Sequence, residues 1–216
     1  MYPGFGGTFF NEDNTAAVNS DAGIKALETM KKALDYTDPE VLVSDSTYVQ
    51  QQFQQGKIAM ANLWASRAGA MNDEAESQVV GKVAMAAAPT AMAGGAPATT
   101  LWWDGIVIAS NITDEEAEAA FRVAMEGIDK EMVTAHNDDA IWLIDGYAPG
   151  PMAAGAAATA ANGAAPYPAS GPMGAMHTAL GNGIADYLTG AKDASTTLAD
   201  IEAAYITAAK EAGLIE

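Results

Sequence analysis

The chain has 216 residues, half of them apolar, with 10 Lys and Arg against 28 Asp and Glu and no cysteine. That length builds one sizeable core or two small lobes, and a formal charge of −18 disfavours nucleic acid and anionic membrane surfaces alike. The lack of cysteine excludes disulfide scaffolds, thiolate zinc sites, iron–sulfur clusters and cysteine nucleophiles. No apolar run approaches the roughly 20 residues that span a bilayer. The surplus of acid also suits a protein dissolved in salty water.

The opening Met1-Tyr2-Pro3-Gly4-Phe5-Gly6-Gly7 has neither a basic n-region nor an apolar h-region and does not read as a signal peptide. Followed by Asn11-Glu12-Asp13-Asn14, it reads as a loop or short hairpin from the middle of a longer chain. Ser20 or Asp21 caps a predicted helix over 20–36 whose apolar stripe is Ile24, Leu27, Met30 and Leu34, stopped by Thr37-Asp38-Pro39. A second helix is predicted over 46–55, with Tyr48, Val49 and Phe53 inward and Gly56 as its left-handed terminator. Apolar runs at 58–64, 83–88 and 103–109 predict short buried strands, and 92–100 is a Gly/Ala/Pro/Thr loop. Thr113 and Glu116 form a capping box for a helix over 113–130, with Ala117, Ala120, Phe121, Ala124, Met125 and Ile128 on one face. Ile141-Trp142-Leu143-Ile144 is an apolar patch before a turn at Asp145-Gly146. The Ala/Gly/Pro/Ser stretch 148–172 reads as part helix, part loop. A helix over 173–188 follows despite Gly181 and Gly183, and a last helix, over 195–211, starts near Ser195 or Thr197 and buries Leu198, Ile201, Tyr205 and Ala208. Helices alternating with short strands define an α/β chain.

The familiar catalytic and nucleotide-binding signatures are missing: no GxGxxG after a strand, no GxxxxGK[ST], no HExxH and no GxSxG. His136 and His177 lack metal spacing and read as surface or loop residues. The Asp114-Glu115-Glu116 run is a helix start, and Asp138-Asp139 has no EF-hand spacing. No metal, cofactor or catalytic residue is expected. A glycoside hydrolase built on two of the many carboxylates stays as an alternative, although nothing selects a pair, and so does a structural domain with every Trp buried.

Three phrases carry a resemblance. They are Gly6-Gly7 with the helix start Asn19-Ser20-Asp21-Ala22-Gly23-Ile24-Lys25-Ala26-Leu27, the stretch Phe53-Gln54-Gln55-Gly56-Lys57-Ile58-Ala59-Met60, and Ile108-Ala109-Ser110-Asn111 before Glu115-Glu116-Ala117. Together they resemble the C-terminal half of an extracellular solute-binding protein of carbohydrate ABC transporters, of the maltose-binding-protein-like kind. The likeness is best over 6–130. It implies a periplasmic-binding-protein-like (type II) α/β lobe, periplasmic or extracellular, that captures a sugar or polyol for a membrane permease as part of a receptor. By that analogy 1–104 and 146–216 are two parts of the C-terminal lobe, and 105–145 crosses to the other lobe. The chain is then a fragment or a truncated relative, and the apolar face of 113–130 would be buried either by the helix folding back onto its own lobe or by two copies exchanging the segment.

Sugars present apolar C–H faces and a ring of hydroxyls, so their sites pair aromatic platforms with polar groups. Family members place a stacking aromatic where Trp64 stands, with Asn62 and Arg67 beside it; core filling is the other reading of Trp64. Trp102 and Trp103 are consecutive, so in a strand one faces the core while the other faces a cleft. Asp104 is either an acceptor for two hydroxyls or a turn residue before Gly105. The expectation is that Trp64, Asn62, Arg67 and one of Trp102 or Trp103 border one concavity with Asp104 at its edge. Tyr147, Tyr167 and His177 are lesser candidates. The late-helix aromatic common in the family is replaced here by Met173, Met176 or His177.

Overall fold

A computed structural model describes residues 1–216. The chain divides into two compact units, neither continuous in sequence: the first is made of 1–45, 88–101 and 162–216, the second of 46–87 and 102–161. The architecture is helix-rich α/β.

The first unit holds the larger core. Its helix α1 (Asp21–Ala33) begins where Ser20 Oγ accepts the Gly23 N–H at 3.3 Å, the cap foreseen from sequence. Two long C-terminal helices, α6 (Gly171–Leu188) and α7 (Ala194–Glu211), supply most of the rest. Val18, Leu27, Met173, Met176, Leu198, Ile201 and Tyr205 interlock as one buried cluster. Gly183 belongs in that contact. A Cβ there would lie 2.5 Å from Ile201 Cγ1, so only a bare backbone lets α7 come this close. Lys192 closes the α6–α7 junction by bridging Asp186 at 2.9 Å and Asp200 at 2.8 Å. The aromatic N-terminal segment folds back as expected, with an antiparallel bridge from Phe10 to Ala16 and the Phe10 ring 5.4 Å from that of Tyr205. The unit's only ladder is short and parallel, β1 (Thr100–Leu101) beside β2 (Ala165–Pro166), with Thr100 opposite Ala165.

The second unit carries α2 (Ser46–Gln54), α3 (Asp114–Gly127), α4 (Lys130–Ala135) and α5 (Ala154–Ala161). Gly56 ends α2 with φ 67°, as its position required. The capping box of α3 is complete: Thr113 Oγ1 accepts from Glu116 N at 3.2 Å, and Glu116 Oε2 accepts from Thr113 N at 2.9 Å.

Four expectations need correction. The segments 58–64, 83–88 and 103–109 form no ladder. Apolar content is a local property, but a strand exists only when its N–H and C=O groups meet a partner chain, and these segments meet none in register. The one fully buried residue of α2 is Gln54, whose side-chain amide both donates and accepts there, while Tyr48, Val49 and Phe53 are only half-buried. In α3 the anticipated inward face is not buried: Phe121 and Met125 are exposed, and Ala117, Ala120, Ala124 and Ile128 are half-buried. Lastly, α7 is capped by Asp193 rather than by Ser195 or Thr197, starting at Ala194, and it buries Ala209 while Ala208 faces outward.

Candidate functional site

All six residues singled out from sequence lie in the second unit. Trp64 precedes a 3-10 turn, Ala65–Arg67, in which the Arg67 N–H donates to the Trp64 carbonyl at 3.0 Å. Three residues per turn bring the side chains of positions 64 and 67 to the same side. The Arg67 guanidinium accordingly lies over the Trp64 ring, 5.9 Å from its centre. The ring is 62% exposed, so the core-filling alternative is set aside. Asn62 is exposed two residues before it.

Arg67 is held from the other side as well. Its Nη1 donates to Gln50 Oε1 at 2.7 Å and its Nη2 to Ser46 Oγ at 2.9 Å, both on α2. Gln50 Nε2 donates in turn to Gln54 Oε1 at 3.3 Å, and Gln54, 3% exposed, donates to the Ala70 carbonyl at 2.9 Å. The Gln54 carbonyl accepts from Gln78 N at 2.8 Å. This chain of amides was missed in the sequence. The available signal was the i, i+4 spacing of Gln50 and Gln54, which puts both on one face of α2.

Trp102, Trp103 and Asp104 form a second group. Trp102 Nε1 donates to Asp104 Oδ1 at 3.3 Å. The Trp103 ring folds over Gly105, whose missing side chain leaves the room: a Cβ there would lie 2.8 Å from Trp103 Cζ3. Both rings are exposed, Trp102 by 54% and Trp103 by 68%. The expected division of one core and one cleft ring does not hold, because alternation of faces requires the strand that 103–109 does not form. Asp104 is itself exposed, with its Oδ1 engaged by the Trp102 indole. Nearby, Ile106, Ala119, Ala120, Val123, Ala124 and Gly127 line a shallow apolar groove that includes none of the six candidates.

In the first unit Tyr167 Oη and His177 Nδ1 lie 3.2 Å apart, their rings near-perpendicular at 74°. The two lesser candidates are thus a pair. Tyr147 is not among these groups.

Discontinuous α/β units of this kind define the periplasmic-binding-protein-like class. The chain belongs to the bacterial extracellular solute-binding protein family, which it matches over residues 1–126. Among solved structures it is similar to an ABC-transporter solute-binding protein from Agrobacterium radiobacter K84 in complex with ribitol, with 25% identity and a TM-score of 0.76 over 94% of this chain and 53% of that one. It is similar in fold to the maltose-bound MalE3 of T. maritima, with 19% identity and a TM-score of 0.77 over 96% of this chain and 55% of that one. The chain therefore spans about half the length of these relatives. No curated protein sequence matches it.

Proposed function

We propose that this chain is part of the substrate-binding component of an ABC transporter, capturing a sugar or polyol in the periplasm or outside the cell and delivering it to a membrane permease. The observation that carries the reading is the Trp64 ring, set on the surface and backed by a cation rather than packed inside. Such a ring offers an apolar plane for C–H groups, with Asn62 beside it for hydroxyls. Trp102, Trp103 and Asp104 supply two further planes and an acceptor, and in this reading they border the same concavity as Trp64. The segment 105–145, which lies inside the second unit, is the part that goes with the other lobe in longer family members. Two copies of the chain would cover the apolar side of α3.

The test is a titration with ribitol, maltose and a panel of pentoses, hexoses and their polyols, followed by calorimetry and tryptophan emission. Saturable binding without product is expected, and Trp64→Ala is expected to weaken it by about tenfold. Turnover of any panel member would overturn the reading in favour of a hydrolase. A flat response across the panel would overturn ligand capture by this chain.

A further inference from the structure

We propose that Arg67 is the positioning residue of the Trp64 platform, and that it reserves a single face of the indole for ligand. The inference rests on the ligand reading only for what occupies the open face; the clamp itself is a property of the free protein.

The geometry gives Arg67 two jobs at once. Its planar guanidinium lies over one face of the Trp64 ring at 5.9 Å. Each of its two terminal nitrogens donates to α2: Nη1 to Gln50 Oε1 at 2.7 Å, and Nη2 to Ser46 Oγ at 2.9 Å with Thr47 Oγ1 at 3.5 Å. The Gln50 and Ser46 acceptors sit one turn apart on α2, a spacing a forked donor can span and an ammonium cannot hold with the same planarity. Gln50 is itself fixed through Gln54 to the Ala70 carbonyl, so the fork is anchored to buried structure rather than to another mobile side chain. The local turn completes the device, because Arg67 N is bonded to Trp64 O at 3.0 Å and the two side chains are held in step. A large exposed ring would otherwise sample several rotamers, and ligand binding would have to restrict them. The guanidinium stands over one face of the indole while the residue as a whole stays 62% exposed, so the clamp leaves the opposite face as the one for a ligand. A sugar or polyol therefore stacks on the face opposite Arg67. Arg67 contributes to affinity by holding the ring, anchored through both terminal nitrogens to α2.

The experiment is acrylamide quenching and anisotropy of Trp64 in the ligand-free chain, with the Trp64→Phe variant subtracted to remove the other three tryptophans. Three variants are compared: Arg67→Met, Arg67→Lys, and the double variant Ser46→Ala with Gln50→Leu, which keeps the cation and removes its anchors. The clamp predicts that Arg67→Met and the double variant both raise the Trp64 quenching constant measurably, by up to about twofold, and lower its anisotropy, with Arg67→Lys between them and wild type. Helix content by circular dichroism should stay unchanged in all three. Unchanged quenching in both Arg67→Met and the double variant would overturn the clamp. A second arm measures affinity for whichever panel member binds. Equal losses of about two- to fivefold in Arg67→Met and the double variant support positioning. A loss confined to Arg67→Met would mean that the guanidinium contacts ligand directly, which overturns it. If nothing in the panel binds, the ligand reading fails while the quenching arm still decides the clamp.

Discussion

Tyr205 joins two stretches of chain separated by 191 residues: its hydroxyl donates to the Asn14 carbonyl at 2.6 Å while its ring is wholly buried. These two contributions differ in weight. Asn14 is exposed, so water can replace the phenol as donor, and Tyr205→Phe should cost about 0.5 kcal/mol in urea unfolding, the low end for a hydrogen bond. Tyr205→Ala removes the ring and leaves a cavity, so about 3–5 kcal/mol is expected from the same measurement. Gly183→Ala tests the opposite fault. The added methyl meets Ile201, and about 1–3 kcal/mol of overpacking should appear as a lowered midpoint. At this scale the sequence was half legible. Leu198, Ile201 and Tyr205 announced themselves by helical spacing, whereas Gly183 looked like a weakness in α6. Its reason lies on a different helix, and no local window contains both. Trp64 was legible as a candidate aromatic, but the partners of the Arg67 that lies over it, Ser46 and Gln50, come from an element 14 residues or more away and carry no signature of their own.

At the level of elements, the helices were readable and the strands were not, for one reason. A helix closes its hydrogen bonds inside its own segment, so caps and spacing suffice to predict it; a strand borrows its partner from elsewhere. The α3 start makes a quantitative point of this. The Thr113 N–H and hydroxyl, both bonded to Glu116, hold that carboxyl below the usual glutamate range. At the start of α7, Thr196 does the same for Asp193. A lowered folded-state value means these groups bind their protons less readily when folded. Their contribution is complete above the ordinary carboxylate range and is lost as pH falls through the depressed values. Helix signal at 222 nm should therefore decline on acidification below about pH 4.5. Glu116→Gln, which keeps the box but cannot titrate, should flatten the part of that decline due to α3; an unaltered acid limb would refute the assignment.

For the whole molecule, the two units differ in how their apolar residues are spent. The first interlocks a cluster of them around α6 and α7, although Tyr36 and Val43 stay exposed. The second leaves Val107 91% exposed, along with Ile106, Phe121, Val123 and both indoles of the 102–103 pair. Surfaces of this kind associate or bind partners, yet a charge of −18 opposes the approach of like chains. Salt screens that repulsion within about 10 Å at 0.1 M. Self-association should then be weak at low ionic strength and strengthen as salt is added. Light scattering across a salt series reads this directly, and Val123→Glu should abolish the rise. A molar mass that is flat in salt would exclude pairing through this face.

The discontinuity of the first unit has a consequence in time. Its core needs Val18 and Leu27 from the beginning of the chain and Leu198, Ile201 and Tyr205 from near its end. A ribosome adding about 5–20 residues per second takes roughly 10–40 s to make the 191 residues between Asn14 and Tyr205. Throughout that interval α1 has only the short N-terminal turn Tyr2–Phe5 to pack on, and a helix of 13 residues with so little support is marginal in water. The core of the first unit is thus left incomplete until α6 and α7 have been made, whereas the second unit needs neither of them.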